Sequence, residues 1–172
     1  MKKLFIFLEM SFLVLFLSAC ATMVVNSDNS KLGKSGSYLV AVFKNFTQTP
    51  HAGSRISSMI DSIMVSRGYI TYNTSTILRK YNSENENINK IIRCAKNRGI
   101  KYVIDGSVNE FRYKTGIEGE PAAGVTVFVY DADTGKLIWS STGSATGWSN
   151  QSRTTVMQNL INRLIVSPKF LV

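Results

Sequence analysis

At Ile100 the hydrophobic pattern of this chain changes period, and the change restricts the folds it can adopt. Upstream, Ile56, Met59, Ile60, Ile63 and Met64 fall at i, i+3, i+4, i+7 and i+8, lining one face of a helix that Gly68 is placed to cap. Ile88, Ile91, Ile92 and Ala95 repeat that spacing and predict a second helix from about Asn85 to Arg98, with Gly99 as its stop. Downstream the period is two. Tyr102 to Tyr113 and Val125 to Tyr130 are rich in β-branched and aromatic residues and read as long strands. Asp131-Ala132-Asp133-Thr134-Gly135-Lys136 is a turn, and Leu137 to Thr142 returns as the hairpin partner.

Three further segments complete the order. Tyr38 to Phe46 is a short apolar run suited to a buried strand, ended by Thr47-Gln48-Thr49-Pro50. Tyr69 to Tyr72 reads as a short strand, and a final helix from about Asn150 to Ile165 aligns Met157, Leu160, Ile161, Leu164 and Ile165. The order β-α-β-α-β-β-β-α predicts an α/β (α+β) domain over 38–172: a mixed β-sheet with helices packed on it. Gly106, inside the first long strand, marks a bulge or a close backbone approach, and Trp139 alternates toward the core. There is no internal repeat and no second domain.

The N-terminus predicts the compartment. Lys2 and Lys3 precede an apolar run from Leu4 to Leu17, and Leu17-Ser18-Ala19 places small residues before Cys20. The run is shorter than the ~20 residues a membrane-spanning helix needs. It resembles a bacterial lipobox, so residues 1–19 are expected to be a signal peptide and Cys20 a lipidation site. Several acyl chains would anchor the protein durably at ~0.8 kcal/mol per buried CH₂. Ala21 at the next position favours the outer membrane. Ala21 to Ser37, rich in Ser, Asn, Gly and Lys, reads as a flexible tether, giving a lipidated linker over 20–37.

Few residues suit catalysis. With 2 Cys and 1 His in 172 residues, a His/Cys metal site is nearly excluded, and no cofactor motif is present. His51 lies in a loop without a nucleophile elbow, and Gly33-Lys34-Ser35-Gly36 lacks the strand and spacing of a phosphate loop. Glu118 and Glu120 sit on a Gly/Pro-rich connection rather than in a pocket that would raise the pKa of an acid catalyst. Lipidation of Cys20 leaves Cys94 unpaired, and its place on the second helical pattern gives it a packing role. The expectation is a protein that is not an enzyme.

Charge is distributed unevenly. Loss of Lys2, Lys3 and Glu9 with the leader leaves 18 basic and 10 acidic residues, net +8. Lys31 to Ile104 is strongly basic, whereas Asp105, Glu110, Glu118, Glu120, Asp131 and Asp133 cluster in the next stretch against only Arg112 and Lys114. Two readings stand: a basic surface facing anionic lipid headgroups, or an acidic strip facing a cationic partner. Trp148, between Gly147 and Ser149, either meets the membrane interface or folds back over the core edge. A periplasmic location makes nucleic acid an improbable partner.

Gly106-Ser107-Val108-Asn109-Glu110-Phe111-Arg112-Tyr113-Lys114-Thr115-Gly116, followed by Gly119-Glu120-Pro121-Ala122-Ala123-Gly124, resembles the PelC family of outer-membrane lipoproteins of Pel exopolysaccharide export. The resemblance runs from Phe43-Lys44-Asn45-Phe46 through Pro50-His51-Ala52-Gly53 to Asp131–Trp139 and Gly147-Trp148-Ser149, nearly the whole mature chain. It implies a three-layer fold similar to the N-terminal domain of TolB. It also implies a homo-oligomeric ring on the periplasmic face of the outer membrane, working with a PelB-like barrel and helical-repeat protein. Such a ring guides a cationic polysaccharide and contributes to biofilm formation. Cys20 would then be the anchor, Trp148 the membrane-interface residue, and Asp105, Glu110, Glu118, Glu120, Asp131 and Asp133 the polysaccharide-guiding candidates. The net basic charge departs from that picture unless charges segregate by face, and His51 has no role in it. Two alternatives remain: a lipoprotein of TolB-like fold activating a peptidoglycan synthase, and a monomeric scaffold lipoprotein.

Overall fold

The period-two stretch after Ile100 becomes the centre of a seven-stranded sheet. A computed structural model describes residues 21–27, 35–77, 84–114, 116 and 119–165. The elements are β1 (Ala21–Ser27), β2 (Ser37–Val40), β3 (Lys44–Asn45), α1 (Ala52–Ser66), β4 (Ile70–Asn73), α2 (Thr74–Ile77), α3 (Ile88–Lys96), β5 (Tyr102–Tyr113), β6 (Pro121–Asp131), β7 (Leu137–Thr146) and α4 (Arg153–Ile165). Strand order is β1-β7-β6-β5-β2-β4, with the two residues of β3 also on β5. The β-α-β segments give parallel pairs (β2 with β4 and β5, β3 with β5), and the hairpins give antiparallel ones. The mixed sheet is as expected.

Each helix covers the face that its apolar stripe predicts. Ile56, Ile60 and Met64 of α1 and Met157, Leu160, Ile161 and Leu164 of α4 pack on Val40, Ile104, Val125, Val127 and Trp139. Ile91, Ile92 and Ala95 of α3 pack on Leu39, Ala41 and Val103 from the opposite side. The result is three layers, helix–sheet–helix. Cys94 packs half-buried against this second cluster. On the same side, β5, β6 and β7 carry a hydroxyl and amide ladder. Ser107 Oγ donates to Asn109 Oδ1 (2.9 Å), Asn109 Nδ2 donates to Thr126 Oγ1 (3.0 Å), and Thr126 shares a proton with Thr142 (2.8 Å between oxygens).

Two expectations are corrected. The tether over 20–37 does not hold for Ala21–Ser27, which pairs antiparallel with β7 from Ala21↔Ala145 to Ser27↔Trp139. Without it β7 would present a row of unpaired N–H and C=O groups, and Thr22, Val24 and Val25 are good strand formers. Residues 1–20, including the expected signal peptide and Cys20, lie outside the described residues, as do 28–34. The strand expected to run unbroken from Tyr38 to Phe46 is split between β2 and β3. Gly106 is the close approach: a Cβ there would overlap the Thr126 carbonyl oxygen and the Phe43 ring. The bulge lies farther along, between Val108 and Glu110.

Candidate functional site

One lateral row crosses four strands: Ala21, Ala145, Ala123 and Phe111 are successive partners. It marks one end of the sheet. At that end β7 runs into Gly147, whose N–H donates to the Pro121 carbonyl (2.8 Å) and whose missing Cβ leaves room for Val156 and Gln151. The Trp148 backbone is clamped by Gln151, with Trp148 N–H to Gln151 Oε1 at 3.1 Å and Gln151 N–H to the Trp148 carbonyl at 2.9 Å. The indole is held outward and is 56% exposed, so it does not fold back over the core.

A cleft of about 730 Å³ opens at the same end. Its floor is β5 at the bulge (Asn109 to Arg112), Gly124 of β6, and Thr142, Gly143 and Ser144 of β7. An extra residue in β5 re-aims the side chains around it. Gly124 lets the bulge settle, because a Cβ there would press to 3.2 Å from Glu110 Cβ. The wall is the loop Phe46–Thr49, which is laced to itself. Asn45 Nδ2 donates to the Thr49 carbonyl (2.9 Å), Thr47 donates from both N–H and hydroxyl to Asn45 Oδ1 (3.0 and 2.8 Å), and Thr49 N–H donates to Thr47 Oγ1 (3.1 Å).

Arg153 braces this wall from outside. Its Nη1 donates to Thr49 Oγ1 (3.2 Å), which in turn donates to the Phe111 carbonyl (2.7 Å), and the guanidinium lies 5.0 Å from the Phe111 ring centroid and 5.8 Å from that of Tyr113. Sequence reasoning missed this residue. The available signal was a cation in the first turn of a helix with no acid beside it, where the helix dipole disfavours positive charge.

The six acidic candidates are not brought together. Glu110 pairs with Arg112 at 2.9 Å and Glu120 with Lys114 at 3.7 Å, both at the Trp148 end. Asp131 and Asp133 occupy the β6–β7 turn at the other end, about eight residues of strand or roughly 27 Å away from the Ala123 row. Asp131 serves the turn: its Oδ1 accepts from Thr134 N–H and hydroxyl, both at 2.8 Å. The Thr134 N–H, more than any other group, holds its carboxyl below the usual range. Asp105 lies between the ends, half-buried, and burial pushes its carboxyl above the usual range against the opposing Gly106 N–H and Lys44 ammonium. Glu118 lies outside the described residues. Among the described residues no group of His, Cys, Asp and Glu is placed to hold a metal ion.

No family model matches the chain, and no curated protein does. Solved structures do. Two structures of PelC dodecamers from Paraburkholderia phytofirmans are 30% identical to this chain, with TM-scores of 0.73. They cover 87% of it and 98% and 97% of their own lengths. The chain belongs to the PelC family. Lipoprotein GNA1162 from Neisseria meningitidis shares the fold at 16% identity and a TM-score of 0.59, covering 77% of this chain and 97% of its own. For a PelC-family chain, the notable arrangement is the clustering of its exposed indole, its cleft and the start of β1 at one end of the sheet.

Proposed function

We propose that this PelC-family protein is a lipid-anchored ring subunit assisting export of a cationic exopolysaccharide. Acylated at Cys20, it stands on the periplasmic face of the outer membrane beside a PelB-like barrel, in a process that supports biofilm formation. The observation that carries this reading is the pairing of Ala21 with Ala145, three residues before the exposed Trp148. β1 opens with Ala21 at the end of the sheet where the indole is exposed, so acyl chains on the preceding residue and an interface-seeking aromatic would approach one bilayer together.

Ring closure has support in the opposite margin of the sheet. β4 is its terminal strand, and Ile70 and Tyr72 on it, with Val65 at the end of α1, are exposed apolar side chains. An edge with neither Pro nor Lys invites a neighbour. Two different margins, β4 and β1, are the ingredients of a head-to-tail contact that closes. The PelC structures it resembles are dodecamers. In such a ring Asp131 and Asp133 lie away from the anchored end, where a cationic polymer would first meet them. Their attraction is screened beyond ~8 Å in physiological salt, so repetition around the ring supplies the effect.

The test is the mass of the detergent-solubilised full-length protein together with palmitate labelling. A labelled closed oligomer, with label lost in Cys20→Ala, is expected. An unlabelled protein would overturn the lipid anchor, and a monomer, as the scaffold and synthase-activator readings require, would overturn the ring.

A further inference from the structure

Asp131 and Asp133 account for a cationic polymer but leave the cleft beside Phe46, at the other end of the sheet, unused. We propose that this cleft is a binding subsite for neutral, hydroxyl-rich sugar units, separate from the acidic turn. The assignment rests on the export reading for the arrival of a polysaccharide.

Four features converge on a sugar. First, the volume of about 730 Å³ falls within the ~300–1,000 Å³ of small-molecule sites. Second, Phe46 is 70% exposed at the cleft wall, an aromatic face on which the C–H face of a pyranose can stack. Third, Gly124 puts no side chain into the floor between its partners Glu110 and Ser144 on the neighbouring strands, so a sugar ring can approach the sheet there. Fourth, apart from Phe111, the glycines and the two ionic residues, the rest of the lining is Thr47, Gln48, Thr49, Asn109, Thr142 and Ser144, hydroxyls and amides that both donate and accept, as sugar hydroxyls do.

The charge balance selects the class of unit. Glu110 and Arg112 are the two ionic side chains of the lining and pair with each other at 2.9 Å, leaving the cleft without net charge. An ammonium sugar would have to compete with Arg112 for Glu110. A neutral or N-acetylated unit leaves the pair intact and can accept from the other guanidinium N–H groups, of which there are five in all. The site is also preorganised: the Asn45–Thr47–Thr49 lacing fixes the wall, and the Ser107–Asn109–Thr126–Thr142 ladder fixes the floor before any ligand arrives.

The experiment is calorimetric titration of the full-length protein in detergent with the N-acetylglucosamine tetramer and, separately, its fully de-N-acetylated counterpart. Saturable binding of the N-acetylated tetramer is expected, weakened roughly 3- to 10-fold by Phe46→Ala and restored by Phe46→Tyr. The side chain is exposed, so circular dichroism should be unchanged. No binding of the N-acetylated tetramer, preference for the cationic tetramer, or indifference to Phe46→Ala would overturn the subsite. So would a change of oligomer size in Phe46→Ala, which would make the cleft an interface between copies. An intact, palmitate-labelled ring that fails to bind sugar would sink the subsite while leaving the export reading in place.

Discussion

Phe43 is seated between two glycines: a Cβ on Gly106 would overlap its ring, and one on Gly53 would overlap its carbonyl oxygen. The first joins β5 to the core, and the second lets the start of α1 pack against the chain leaving β2. Gly106→Ala must also displace the Thr126 carbonyl, which is backbone and yields little. We expect a loss of about 3 kcal/mol, at the upper end of overpacking costs, read as a lowered midpoint in urea at unchanged slope.

His51 holds the left-handed conformation at φ +58°, at the N-cap of α1, without a side-chain cap. Gly adopts that conformation without the Cβ penalty but loses more chain entropy on folding. His51→Gly is therefore expected to leave stability unchanged or raise it by up to ~1 kcal/mol, whereas His51→Val should lower it by about 1–2 kcal/mol. Thermal midpoints of the two variants check the contrast. Equal midpoints would mean that the backbone, not the side chain, sets the cost.

Two aspartates should give stability opposite pH dependences. Asp105 has a folded pKa raised by burial, so its charged form opposes folding: its penalty grows as pH rises through the window from the ordinary value near 3.9 to the raised one. Asp105→Asn should stabilise the protein at pH 7 and lose that advantage below about pH 4. Asp131 has a lowered folded pKa through Thr134, so it stabilises above the ordinary value and its contribution disappears as pH falls through the lowered one. Asp131→Ala should cost about 1 kcal/mol at pH 7 through its lost turn hydrogen bonds, and progressively less in acid. Urea midpoints at pH 3, 5 and 7 distinguish the two signs.

Arg153 stacks as well as pairs, so Lys is a poor substitute. Arg153→Lys is expected to lower stability by about 1 kcal/mol and Arg153→Met by a similar amount, because the bond to Thr49 and the planar contact with Phe111 are lost in both. Hydrogen exchange should quicken in the Phe46–Thr49 loop of either variant. Unchanged exchange there would show that the loop's own hydrogen bonds suffice.

If the polymer meets the two ends of the sheet separately, the acidic candidates should separate too. Asp131→Asn with Asp133→Asn should reduce secreted polymer without altering oligomer size. Glu110→Gln and Glu120→Gln, whose carboxylates are already paired with Arg112 and Lys114, should have smaller effects. Dot-blot quantification of secreted polysaccharide measures both.

Elements with strong local periodicity were legible from sequence. β5 occupies Tyr102–Tyr113 as predicted, because its alternation needs only one partner on each side to be satisfied. The expected strand at Val125 starts earlier, at Pro121, because Pro121-Ala122-Ala123-Gly124 has little strand propensity of its own and is held by Arg112, Phe111 and Glu110. The second helix starts at Ile88 rather than Asn85, since the Asn87 side chain accepts from Asn89 N–H (2.9 Å) and caps it there. The acidic candidates were legible by charge but not by place: strand length separates the Asp131 turn from Glu110 and Glu120, whatever their proximity in sequence. The cleft was not legible at all, since its floor joins three strands and its wall is a loop far away in the chain.

β1 changes what acylation at Cys20 would mean mechanically. A slack leader would let the body swing and sample partners at a distance. Here the ladder begins at Ala21, so an acyl group on the residue before it would leave the leash no length and bolt the sheet itself to the lipid. Neighbouring copies would share one height and one tilt before they touch, which makes lateral closure a two-dimensional problem and leaves nothing of this stretch to reach a partner deep in the cell wall.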